Sequence, residues 1–356
     1  MNYGYAEKCE PHELVAPLFP DKLGGKPAWL DYEKLPDEDS LLCPHCSKRM
    51  SFLLQLYSPL DKFFCFHRFI YIFICLDGSC YKQKSKKLPI KALRCQLPRA
   101  NKFFSFDPPE EELCVEKLLK NVQSNMAPNF FQNAKICSVC GMPSSKSCSN
   151  CLKEHYCCRD HQNFAWNSYH SKECKKMSDI SESVLLSRFI SPNNYVLPEF
   201  KLCSEPQSDE GDISSEEEEG EKDLNNVSPF LSGGEDEESE ALEEIARHET
   251  KVDKTIEKLK GLIKKDPDHI IRFQREGSPF WLDEEVDLNN MKCKYCKGPV
   301  VFEFQILPTI LTHLNIDTID KRSPEFASIY IFTCKDSCDK SDSLKYLEED
   351  VICQFI

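Results

Sequence analysis

Between Cys137 and Cys174 the chain reads Cys137-x-x-Cys140, Cys148-x-x-Cys151, Cys157-x-x-x-His161 and His170-x-x-x-Cys174. Thiolate and imidazole are donors that zinc favours, and a closely spaced pair holds two corners of a tetrahedron without straining the backbone between them. Eight such donors make two four-coordinate sites. With every corner supplied by protein, no position is left for water or substrate, so these zincs are expected to be structural and not catalytic. So short a segment buries little apolar surface. Metal binding, worth ~10–16 kcal/mol in zinc-finger peptides, would supply most of its folding energy. Phe164, Trp166 and Tyr169 lie between the last two pairs and are expected to form a small core under the metals; the other reading is that one of them docks a peptide. Cys158 stands too close to His161 for the pattern and is read as unligated.

Two outer quartets carry a weaker form of the same signal: Cys43, Cys46, Cys75 and Cys80, then Cys293, Cys296, Cys334 and Cys338. A CxxC pair far from its partner pair resembles a zinc ribbon, in which strands bring the pairs together. The other reading is that these are small buried apolar residues at strand ends, where free cysteine is common. Recurrence of all four in both places keeps one further zinc in each half open.

The elements that would position these quartets form an internal repeat. Cys43-Pro-His-Cys46 is followed by Ser51-Phe52-Leu53-Leu54-Gln55 and by Phe69-Ile70-Tyr71-Ile72-Phe73-Ile74-Cys75 with Ser79-Cys80. Near the other end, Cys293-Lys-Tyr-Cys296 is followed by Val301-Phe302-Glu303-Phe304-Gln305 and by Ser328-Ile329-Tyr330-Ile331-Phe332-Thr333-Cys334 with Ser337-Cys338. The short runs rich in Phe, Ile and Tyr favour strands. Each half alone would expose an apolar sheet face, so the two are expected to pack together. The predicted class is α+β and β-rich: one pseudo-symmetric antiparallel β domain built from both ends, with the finger and a linker inserted. The expected divisions are an N-terminal half over 1–120, the finger over 135–176, the linker over 204–241, and a helix followed by the second half over 242–356.

The linker is read from composition. Glu216 to Glu219 and Glu235 to Glu238 crowd like charges among Ser and Gly, and such a segment has too little apolar area to offset its ordering entropy. It is expected to be disordered, a spacer or a clamp for a basic partner. Beyond it Ile245, Val252, Ile256, Leu259 and Ile263 share one side of a helix, which Pro267 should end.

The chain has 356 residues and a formal net charge of -14, which argues against a general nucleic-acid binder and for a basic partner. Its 21 cysteines are an odd number, and no secretory signal is visible at the N-terminus. Spaced cysteine pairs in a reducing compartment are metal ligands sooner than disulfides. The longest apolar run, Phe63 to Leu76, is interrupted by His67 and Arg68 and is too short to span a bilayer, so no membrane partner is expected. There is no GxGxxG, Walker lysine motif, HExxH or GxSxG, and an enzyme is not expected.

The central pattern resembles the MYND finger, whose alternate pairs share a metal. That resemblance implies one zinc on Cys137, Cys140, Cys157 and His161, and the other on Cys148, Cys151, His170 and Cys174. His161 stands where a cysteine is usual, and three residues instead of two separate Trp166 from His170. Larger pieces are similar to the programmed cell death protein 2 family. These are Leu23-Gly24-Gly25-Lys26-Pro27-Ala28-Trp29-Leu30, Cys43-Pro-His-Cys46 with Ser51 to Gln55, Leu93-Arg94-Cys95-Gln96-Leu97-Pro98-Arg99, Phe302 to Gln305 and Ile331 to Cys334. The atypical finger is itself a feature of that family. The resemblance implies a cytoplasmic and nuclear factor in ribosome production that escorts a basic 40S ribosomal protein. The finger alone also suits an adaptor for other proteins, such as transcriptional corepressors.

Overall fold

The computed structural model describes residues 1–83, 85–104, 106–107, 134–175, 188, 191–206, 254–283, 285–316, 323–339 and 344–355. Ten strands close into a barrel: β1 (Asn2–Glu7), β2 (Lys22–Leu23), β3 (Ser51–Tyr57), β4 (His67–Ile74), β5 (Ile90–Leu97), β6 (Phe200–Pro206), β7 (His269–Phe273), β8 (Val300–Ile306), β9 (Ser328–Cys334) and β10 (Tyr346–Gln354). Their order around the barrel is β1-β6-β2-β3-β4-β5-β10-β9-β8-β7, and β7 pairs back to β1. Among the described residues, closure leaves no bare sheet edge to recruit another chain.

The two halves are the repeat seen in the sequence. Strands β3-β4-β5 and β8-β9-β10 are matching antiparallel meanders, and each slips register at the same place, between Phe52 and Leu54 and between Phe302 and Phe304. The meanders join where β5 meets β10, with Cys95 opposite Tyr346 and Ala92 opposite Glu349. One pseudo-symmetric antiparallel β domain from the two ends is therefore what forms.

The repeat reaches further than the cysteines and strands. Ala28 N donates to Gln55 Oε1 at 2.9 Å and Tyr71 OH donates to Ala28 O at 3.0 Å. Phe280 N donates to Gln305 Oε1 at 3.3 Å and Tyr330 OH to Phe280 O at 3.0 Å. Each arrangement seats a tryptophan on the following meander: Trp29 lies on Phe73 at 5.9 Å, and Trp281 on Phe332 at 6.2 Å. A buried glutamine thus satisfies an otherwise stranded backbone amide and pins an aromatic lid in both halves.

β4 is buried along its whole length. Side chains alternate between faces, so Phe69, Tyr71 and Phe73 point to the face that Trp29 covers, and Arg68 points to the other. Arg68 Nη1 and Nη2 donate to Glu303 Oε1 and Oε2 at 2.7 and 2.8 Å. Since β4 and β8 are not neighbours around the barrel, this forked pair bridges its interior. Ser58 and Thr333 also donate to Glu303, and Arg94 pairs with Glu349 across the β5–β10 seam at 2.5 Å. The residues that interrupt the apolar run are thus the ones tying the halves together. Among the described residues no helix is long and apolar enough to cross a membrane.

One expectation changes at the linker. β6 runs on through Ser204, Glu205 and Pro206, which pair with Gly4, Tyr3 and Asn2, residues that composition assigns to the acidic stretch. Backbone pairing to β1 outweighs their polarity. The rest of that stretch, with Ile245 and Val252, lies outside the described residues. Residues 254–265 are helical, stopping short of Pro267, and Leu259 packs on Leu282 and Ala327.

Candidate metal centres

All four quartets come together. Cys137, Cys140, Cys157 and His161 form one cluster, Cys148, Cys151, His170 and Cys174 a second, and the two outer quartets a third and fourth; within each, the ligand atoms all lie within 4.8 Å of one another. A tetrahedron with Zn–S of about 2.3 Å sets two thiolates about 3.8 Å apart, and a thiolate and an imidazole nitrogen about 3.6 Å apart. The clusters match: Cys140 to Cys157 is 3.6 Å, Cys148 to Cys174 3.8 Å, Cys46 to Cys75 3.6 Å and Cys293 to Cys338 3.7 Å. His161 presents Nδ1 at 3.1 Å from Cys157 and 3.4 Å from Cys137, and His170 presents Nε2 at 3.6 Å from Cys151. These cysteines are free, and their sulfurs stand far beyond the about 2.05 Å of a disulfide.

One backbone device builds every CxxC pair. The first cysteine's carbonyl accepts from the amide four residues on: Ser47 to Cys43 (3.0 Å), Gly141 to Cys137 (2.8 Å), Leu152 to Cys148 (2.8 Å) and Lys297 to Cys293 (3.0 Å). That fourth residue is left-handed each time, with φ of 57° at Ser47, 71° at Gly141, 58° at Leu152 and 64° at Lys297. Only Gly141 adopts this conformation without steric cost. Side chains at the other three cost of order 1–3 kcal/mol each, a strain that persists only where the surroundings over-determine it. The turn aims both thiols inward to one point, which is what a shared metal requires.

Amides turned toward sulfur complete the fit. Gly298 N lies 3.3 Å from Cys296 Sγ, and Asp77 N 3.5 Å from Cys75 Sγ. The Cys46 and Cys296 thiols are each held below the usual range: burial opposes this, but the amides of Lys48 and Gly298 outweigh it. Cys148 is held at about 6, with burial outweighed by the amide of Cys151 and by His170. Asn150 Nδ2 also donates to Cys174 Sγ at 3.1 Å. Such donors favour thiolate, the form that ligates metal.

The departure between Trp166 and His170 has a structural answer. Helix α1 (Arg159–Ala165) widens into a π turn over Trp166–His170 before a last turn at Ser171–Glu173. An extra residue in an α-helix would rotate everything after it by about 100°. The π turn absorbs it and keeps His170 facing Cys151. The aromatic core expected under the metals is corrected here: Trp166 is 44% exposed, because the widened turn carries it outward. Ala165 is buried in its stead, Phe164 packs on Tyr195, and Tyr169 OH donates to Ser138 Oγ at 2.9 Å.

The finger is built into the N-terminal half and is not a hanging module. Trp29 Nε1 donates to Gly141 O at 2.7 Å, Asn193 Nδ2 to Val139 O at 2.9 Å and Arg49 Nη1 to Pro143 O at 3.3 Å, and Ser145 N donates to Glu38. Val139, Met142 and Tyr156 belong to one core with Trp29, Leu30 and Phe52. The loop at Gly24 packs closely on the segment that leads into β6, where an added Cβ would stand 1.9 Å from Pro198 O. Of the anchoring residues, Trp29 stands in the Leu23 to Leu30 motif, whereas Glu38, Arg49 and Asn193 carry no spacing pattern and the sequence alone does not mark them.

Family profiles agree with this arrangement: the programmed cell death protein 2 N-terminal domain matches residues 1–111, its C-terminal putative domain 253–355, and the MYND finger 137–174. The chain is similar to programmed cell death protein 2 of Mus musculus, at 32% identity over 99% of this chain and 95% of the relative. It matches that of Bos taurus at 32% over 98% and 94%. A programmed cell death protein 2-like protein of Mus musculus is 21% identical over 94% and 89%. No solved structure matches the chain. With a MYND zinc finger wedged into a barrel that both family domains build, and relatives aligned nearly end to end, this chain belongs to the programmed cell death protein 2 family.

Proposed function

We propose that the protein is a non-catalytic scaffold held by four zinc ions, one per cluster, and that it escorts a basic 40S ribosomal protein during small-subunit assembly in cytoplasm and nucleus. The observation that carries the scaffold reading is the four-fold recurrence of one left-handed CxxC turn, each closing a complete set of four donors. Complete sets leave the metal nothing to offer a substrate. The metals then serve shape, locking the finger and both barrel ends into one rigid body. The escort reading is supported by the net charge of -14, which favours encounter with a cationic client and disfavours RNA. In a co-purification of the full-length protein, one basic 40S protein should be enriched over nucleic acid. Recovery of chromatin factors without any ribosomal protein would overturn the escort.

A second reading, an adaptor for other proteins such as transcriptional corepressors, draws on the outward Trp166 and on Leu152, 69% exposed on the finger. It predicts that Trp166→Ala abolishes partner capture, whereas the escort tolerates that change.

A further inference from the structure

One mouth of the barrel opens into a cavity of about 540 Å³ between the two halves. Its wall is largely apolar, with Leu56, Leu202, Ile271 and Phe304 among its lining, and it also carries three charged side chains, Asp21, Arg275 and Glu303, and the N-terminal residue Met1. Two of these side chains already have ion-pair partners. Glu303 is forked onto Arg68. Arg275 Nη2 donates to Cys334 O and Lys335 O at 3.2 and 2.7 Å and Glu276 and Glu303 lie 3.7 and 3.9 Å from the guanidinium, while its Nε and Nη1 make no hydrogen bond among the described residues. Asp21 is different. Its carboxylate accepts from Tyr57 N, and no cation acts on it among the described residues. Burial pushes that carboxyl up to about 7, as expected of a carboxylate without a partner.

We propose that this cavity seats one arginine or lysine side chain from an extended segment of a basic protein, with the cationic head on Asp21 and the aliphatic stem along the apolar wall. An apolar sleeve ending in an unpaired carboxylate is the complement of a long stem ending in a positive charge. A carboxylate ligand would meet Asp21 and Glu303 as like charges, and a neutral apolar one would cover the half-buried Asp21 without answering its charge. The overall negative charge of the chain draws the same class of ligand. The inference deepens the escort reading by naming how a client is gripped, but it stands or falls on its own measurement.

The test uses the full-length zinc-loaded protein and a fluorescent glycine-arginine heptapeptide, set against the same peptide with citrulline, which keeps the stem and loses the charge. Anisotropy is read at about 0.3 M salt, where exposed charges such as those of the acidic stretch are largely screened. The arginine peptide should bind at least about tenfold tighter than the citrulline one, and Asp21→Asn should remove that preference, as expected when one partner of a buried charge pair is lost. Ser204→Trp, which narrows the mouth without touching Asp21, should weaken the arginine peptide by a similar factor and decides the matter should Asp21→Asn fail to fold. Equal binding of the two peptides, or a folded Asp21→Asn or Ser204→Trp protein that keeps the preference, overturns the inference. A preserved preference in the wild type with no 40S protein in the co-purification would sink the escort and leave the cavity assignment standing.

Discussion

At the residue scale, the pair of Arg68 and Glu303 shows what holds the halves in place. Replacing one member strands a buried charge, so Arg68→Met should cost about 3–5 kcal/mol in denaturant unfolding, whereas Arg68→Met with Glu303→Leu should recover most of it. The pH dependence has a definite sign. Burial raises the Glu303 carboxyl, but Arg68 outweighs it and holds it down at about 2, below its ordinary 4.5. Its contribution is therefore complete above about pH 4.5 and is lost as pH falls through about 2; an acid titration of the Arg68→Met protein should lack that limb. The finger's eight ligands were legible in the sequence because each pair is local and its spacing is the chemistry. Arg68 was legible only as an interruption of an apolar run, since its partner lies in the other half and no pattern links the two. Asp21 looked like any loop aspartate, because whether a cation faces it is decided by strands distant in the chain.

At the element scale, the seams between the two halves are β5 with β10 and β1 with β7, both hydrogen-bonded along their strands. A separated half would bare those strand edges. Fragments 1–206 and 254–356 expressed alone should therefore be unfolded or insoluble, and co-expressed they should elute as one complex. A folded monomeric half would contradict the shared barrel. The finger's anchorage through Trp29 gives a second expectation: chelating zinc should loosen the N-terminal meander as well as the finger. Hydrogen exchange should then quicken at β3 and β4 together with residues 137–174, and a change confined to the finger would refute the coupling. The meanders were readable because each repeats with its cysteines. Strands β1, β2 and β6 were not, since β2 has two residues, β6 ends in Ser204-Glu205-Pro206, and both exist only by pairing with partners far off. The π turn was visible as one surplus residue, but only the structure shows which side chain it moves outward.

At the scale of the whole molecule, the proposed function joins zinc, barrel and charge: a rigid acidic body whose metals would shape it without acting. Changing Glu216 to Glu219 to glutamine should slow capture of a basic client at low salt and matter little at high salt, because long-range attraction between exposed charges is screened. Stopped-flow binding at two salt concentrations reads this directly. What composition foresaw was the sign of the charge; where it is left unbalanced, at the barrel mouth, depends on the closed sheet. The measurement closest to the central claim is the zinc content of the purified full-length protein by elemental analysis, read beside its unfolding. The account predicts four zinc ions per chain, falling by one in a variant lacking Cys296, with cooperative unfolding lost on chelation. Two zincs per chain would leave the outer quartets as ordinary buried thiols, and a metal-free protein that stays folded would contradict the account outright.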